Sequence, residues 1–109
     1  MTYRVVLYQT ARGNRPVRQY ITNLDNSTFA KYLRLINLLT QSGPNLGMPY
    51  SKRLTSHLNE LRVLGKNSIR VIYTQIDNIY VLLHAFQKKT RKTPTREIQT
   101  AESRRLTLI

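Results

Sequence analysis

Read from the N-terminus, the chain changes its hydrophobic period several times. Tyr3–Tyr8 (YRVVLY) is β-branched and aromatic, with Val5 and Leu7 alternating against Arg4 and Val6, and predicts a short strand. Gln9–Arg15 is polar, holds Gly13 and Asn14, and predicts a loop. Pro16 suits the first turn of a helix, where its missing N–H does no harm, and Val17, Tyr20, Ile21 and Leu24 follow at helical spacing. Asp25–Asn26–Ser27 supplies stop and cap chemistry. The clearest helix runs from about Ser27 to Ser42. In it Phe29, Tyr32, Leu33, Ile36 and Leu39 form one apolar stripe, while Lys31, Arg34 and Asn37 lie off it. Gly43–Pro44 ends it.

The second half is richer in β-branched residues. Asn45–His57 is irregular, with Gly47, Pro49 and the basic pair Lys52–Arg53. Leu58–Leu64, Ser68–Ile76 and Ile79–Phe86 predict three strands, separated by turns at Gly65–Asn67 and Asp77–Asn78. A last helix is predicted with Thr93 as cap and Pro94 in its first turn, and with Ile98, Ala101 and Arg105 on one face. The expected fold is therefore α+β: an N-terminal strand and a two-helix hairpin, then a three-stranded antiparallel meander and a C-terminal helix. The helices are expected to group on one side of the sheet. No repeat or linker divides the chain, so residues 1–109 read as a single domain.

The turns also predict a register. A two-residue loop at Asp77–Asn78 pairs Ile76 with Ile79, Thr74 with Val81, Ile72 with Leu83 and Arg70 with Ala85. A three-residue loop at Gly65–Asn67 pairs Leu64 with Ser68 and sets Arg62 opposite Arg70. Arg62, Arg70 and Ala85 would share one face, with Gln87 and Lys89 beyond. Opposed arginines repel unless an anion lies between them. Glu60, on the same face, could serve within a surface network; a bound phosphate could serve equally.

Charge gives that second reading weight. The chain holds 18 Lys and Arg against 5 Asp and Glu, a net charge of +13, on 40% apolar content sufficient for a folded core. Such self-repulsion is relieved by a polyanion, whether nucleic acid, an acidic protein or an anionic membrane surface. The segment Phe86–Arg96 carries Lys88, Lys89, Arg91, Lys92 and Arg96 with no acid, and suits phosphate contacts; Lys52–Arg53 is a weaker instance. Cysteine is absent, which excludes disulfides, thiol nucleophiles and thiolate metal sites. His57 and His84 do not form a metal-ligand pair, and the five carboxylates are scattered, so neither a metal nor a cofactor is expected. His84, beside Leu83 and Phe86, reads as a packing histidine before a catalytic one. The longest apolar run is Ile79–Leu83, too short to span a bilayer, and Met1–Arg4 lacks a signal-peptide core, so a cytoplasmic protein is expected.

Three elements occur in order: Glu60–Leu61–Arg62, then Arg70–Val71–Ile72–Tyr73, then Phe86–(x)–Lys88–Lys89–Thr90–(x)–Lys92–Thr93–Pro94. With Pro16–Val17, Tyr20–Ile21, Leu39 and Gly43, they resemble the HigB-like, phage-derived branch of the RelE/ParE toxin superfamily over nearly the whole chain. The resemblance implies a small RelE-like domain acting as the toxin of a type II toxin–antitoxin module. It implies a metal-independent endoribonuclease, or mRNA interferase, that cuts ribosome-bound mRNA and inhibits translation. Its partner would be a helix-turn-helix, HigA-like antitoxin. By the same resemblance Arg70 contacts the scissile phosphate, Arg62 assists it, and Lys88 or Lys89 holds the second basic position, with Lys89 taken as catalytic. Lys52, Arg53, Lys88, Arg91 and Lys92 would bind RNA. The family's C-terminal tyrosine falls near Ile98, which has no hydroxyl. The general base stays open among Glu60, His84, a lysine of depressed pKa and a ribosomal group. A ParE-like gyrase poison and a non-catalytic basic binding domain of phage origin are the alternatives.

Overall fold

The computed structural model describes residues 3–109. Among them, β1 (Arg4–Leu7) is followed by α1 (Pro16–Thr22), α2 (Asn26–Ser42) and a short 3-10 turn at Gly43–Asn45. Next come β2 (Ser51–Arg53), β3 (Asn59–Val63), β4 (Ile69–Ile76), β5 (Ile79–Gln87) and α3 (Thr95–Leu106). The strands make one mixed sheet in the order β1-β5-β4-β3-β2. β3, β4 and β5 form the expected antiparallel meander, and β1 lies parallel to β5. Among the described residues, no helix is long and apolar enough to cross a membrane.

Two expectations are corrected. The strand count rises by one, because β2 forms inside the segment read as irregular. Its three residues pair with Asn59–Leu61 and extend the sheet past β3, a pairing too short to leave an alternating pattern. Nor do the helices share one side. Val17, Ile21, Tyr32, Leu35 and Leu39 of α1 and α2 cover the face bearing Leu61, Val63, Val71, Tyr73 and Leu82. On the opposite face, Ala101 and Ile98 of α3 pack with Leu58, Ile72, Val81, Leu83 and Phe86. A meander apolar on both faces needs a layer on each side.

Local chemistry sets the helix ends. Asp25 caps α2 by accepting the Thr28 backbone N–H at 2.8 Å, and α2 ends at Gly43 with φ 56°. Within α2 the expected Phe29, Tyr32, Ile36 and Leu39 pack on the core, whereas Leu33 is 46% exposed and Thr28 and Leu35 are buried in its place. Ala101, fully buried, lets α3 approach the sheet closely. Thr93 does not cap α3: its hydroxyl is donated elsewhere, and Pro94 holds the cap position without a side-chain bond.

Candidate nucleic-acid interface

The hairpin between β3 and β4 sets the first two residues. Arg62 lies directly opposite Arg70 and Glu60 opposite Ile72, so all three side chains stand on the α3 face. The turn at Asp77–Asn78 likewise pairs Ile76 with Ile79 and Thr74 with Val81. Beyond that the expected register fails, because a bulge intervenes: Tyr73 pairs with Leu82 but Ile72 pairs with His84, leaving Leu83 unmatched. Every later side chain of β5 changes face. Phe86, not Ala85, sits opposite Arg70, and Ala85 pairs with Val71 and joins the core under α1 and α2. The backbone N–H of Lys88 bonds the Ser68 carbonyl, continuing the ladder. The same shift brings Lys88, rather than Lys89, to the α3 side.

Arg70 and Glu60 are largely withdrawn from water, and Arg62 is half-buried. Glu60 is 2% exposed and accepts the Thr93 hydroxyl at 2.6 Å. Arg70, 6% exposed, donates from one terminal nitrogen to the Ile69 carbonyl at 3.1 Å. Its Nε lies 3.8 Å from Glu60 Oε1, near enough to attract but too far to hydrogen-bond. Among the described residues, the Nε atoms of Arg62 and Arg70 are both buried without an acceptor. Arg62 also donates from a terminal nitrogen to the Met48 sulfur, at 3.5 Å. Burial lowers the Arg70 pKa, Glu60 opposes the shift and Arg62 adds to it. Burial also lowers the Lys88 pKa below its ordinary 10.5; Glu60 opposes this, and Arg70, Arg62 and Lys52 reinforce it.

Beside this cluster a polar cavity of about 260 Å³ opens. Lys52, Arg53, Lys88, Arg91 and Lys92 line it with Glu60, so all five residues read as RNA-binding meet in one place. Lys52 comes directly opposite Glu60 in the β2–β3 pairing, which explains how a distant basic pair joins the later basic segment. A ring of cations around one carboxylate attracts a phosphate backbone and holds preset donors toward its oxygens. Lys89 is exposed and does not line the cavity.

His84 lies on the same face and is engaged through both ring nitrogens. Arg104 donates a nitrogen to the Leu83 carbonyl at 2.7 Å and lies 3.3 Å from His84 Nδ1. Nδ1 must then accept, since guanidinium cannot, and the ring proton belongs on Nε2, 2.9 Å from Glu97 Oε1. The ring also stacks on Phe86, with centroids 5.6 Å apart. Glu97 and Arg104 were absent from the sequence-based set, although both fall on the Ala101 side of α3 at helical spacing. Thr93, read only as a cap, is the bonded partner of Glu60. Arg105, expected on the packing face, instead makes a bidentate pair with Glu102 at 2.7 and 2.8 Å.

The sequence model of a family described as Phage derived protein Gp49-like (DUF891) matches residues 19–106, which include α2, the meander and α3. No curated protein matches the chain.

Proposed function

The chain belongs to the Gp49-like family of phage-derived proteins, and from that premise we propose that it is the toxin of a type II toxin–antitoxin module. In this reading it is a HigB-like endoribonuclease that cuts mRNA on the ribosome in the cytoplasm and is restrained by a HigA-like, helix-turn-helix antitoxin. The observation that carries the reading is the opposed pair Arg62 and Arg70, each with a buried Nε lacking an acceptor, beside a cavity lined by Lys88 and Glu60. A phosphate oxygen would satisfy those donors.

The reaction is an internal displacement. The ribose 2′-OH loses its proton and its oxygen bonds to the adjacent phosphorus. The bond from phosphorus to the 5′ oxygen breaks, and that oxygen takes up a proton. The products are a 2′,3′-cyclic phosphate and a 5′-OH, and DNA, lacking the 2′-OH, is not a substrate. Arg70 and Arg62 stabilise charge developing on the phosphorane, an effect worth ~10²–10³ in rate per donor in comparable sites. Lys88 is our choice for the proton acceptor, because its depressed pKa enlarges the neutral fraction. Glu60 fixes Arg70 and Lys88 by charge. Lys52, Arg53, Arg91 and Lys92 hold the flanking backbone. His84, with both nitrogens engaged, ties β5 to α3.

The test is a reconstituted translation reaction to which the purified protein is added. Translated mRNA should be cut, with new ends that polynucleotide kinase labels directly, as 5′-OH ends allow. Intact mRNA would refute the nuclease. Intact mRNA together with gyrase-dependent DNA breaks would favour the ParE-like alternative, and neither effect would favour a basic binding domain.

A further inference from the structure

A second cavity, of about 180 Å³, lies between α2 and the edge of β3. Leu35, Leu38, Tyr50 and Leu64 form an apolar floor, and Lys31, Arg34 and Arg62 stand around it. Tyr50 and Leu64 remain 41% and 45% exposed, large for apolar groups already drawn together. Among the described residues, no carboxylate lines this groove; Asp25, at the cap of α2, is near enough to Lys31 to feel its charge but does not enter the groove.

The groove is too small for a typical small-molecule site, which runs to about 300–1,000 Å³. It does match an apolar group of side-chain size, since a cavity of about 150 Å³ accepts benzene. A nucleobase inserted there would turn its polar edges toward leucine side chains and leave them unpaired. A hydrophobic side chain flanked by carboxylates suffers no such loss. Lys31 and Arg34 are spaced i, i+3 on one helix and can meet acids similarly spaced on another.

We propose that this groove seats a large apolar side chain of an acidic, amphipathic segment from a partner protein, whose carboxylates meet Lys31 and Arg34. Binding draws on burial of Tyr50 and Leu64 for affinity and on the cations for orientation. Apart from Arg62, which borders both, this surface is separate from the lysine-lined cavity and its arginine pair, and binding there does not depend on nuclease activity.

The test starts from a random peptide library selected on the full chain, with one enriched peptide then made synthetically and labelled for fluorescence anisotropy. Enriched peptides should pair a large apolar residue with acids three or four positions away. Leu64→Asp and Arg34→Glu should each weaken binding at least tenfold, whereas Lys92→Ala should change it less than twofold. Replacing the peptide's apolar residue by alanine should also weaken binding at least tenfold. The proposal is overturned if no such peptide is enriched, or if the alanine peptide binds equally well. It is also overturned if Lys92→Ala weakens binding as much as Leu64→Asp, or if Leu64→Asp weakens poly(U) binding tenfold, which would make the groove an RNA surface.

Discussion

Glu60→Gln removes one negative charge while keeping the side chain's shape and an oxygen to accept the Thr93 hydroxyl. The structure allows its effect to be sized. Arg70 Nε lies 3.8 Å from Glu60 Oε1, and at an effective dielectric of about 20 that separation corresponds to about 4 kcal/mol of attraction. Both groups are more than nine-tenths buried, so little water replaces the lost partner. Relieving the carboxylate's own desolvation offsets part of this, and breaking one side of a buried pair typically costs about 3–5 kcal/mol. We expect about 3 kcal/mol, hence a fall in Tm of roughly 12 °C at about 4 °C per kcal/mol. Urea and thermal unfolding at neutral pH supply the measurement. Glu60→Gln combined with Arg70→Met should be less destabilised than the sum of the two single changes, because the orphaned guanidinium is gone. A Glu60→Gln protein within about 0.5 kcal/mol of wild type, or strict additivity in the double variant, would refute a stabilising Glu60–Arg70 pair.

Three other outcomes are expected. Gly43→Ala should destabilise by more than about 1 kcal/mol, because φ is 56° there and a Cβ would run into the Tyr3 ring; thermal melts check this. Ala101→Leu should cost about 1–3 kcal/mol by overpacking α3 against Ile72 and Leu83, with little loss of RNA affinity. The Lys88 pKa is held below its ordinary 10.5 in the folded chain by partial burial and neighbouring cations, so its charge opposes folding at neutral pH and that penalty fades as pH rises toward 10.5. Lys88→Met should therefore raise Tm at pH 7, while wild-type cleavage should increase from neutral pH toward 10 and Lys88→Arg should flatten that rise, as pH–rate profiles would show.

What was legible in the sequence was mostly local. The three-residue turn at Gly65–Asn67 alone places Arg62 across from Arg70, and the Asp77–Asn78 turn sets the start of the β4–β5 register. The bulge at Leu83 was not legible, since Leu82 and Leu83 are interchangeable in an apolar run. The carbonyl of the bulged Leu83 is bonded by Arg104, twenty-one positions away, a tertiary contact that the run of apolar residues does not announce. That single extra residue exchanged Ala85 for Phe86 and Lys89 for Lys88 at the site. The α2 stripe is legible at Phe29, Tyr32, Ile36 and Leu39 but not in the choice between Leu33 and Leu35, which only packing against the sheet decides in favour of Leu35. β2 escaped notice because it depends on a partner strand rather than on its own residues.

The central claim, that the Arg62–Arg70 cluster cleaves mRNA, is tested most directly by mapping transcript 5′ ends in cells after induction. Arg70→Ala is a poor control, because it would leave Glu60 buried beside a void; Arg70→Lys keeps the charge and loses the guanidinium fork. Wild type should produce new 5′-OH ends within translated messages and arrest translation, and Arg70→Lys at equal abundance should produce at least tenfold fewer. Wild-type induction without new 5′-OH ends, or undiminished cleavage by Arg70→Lys, would contradict the claim.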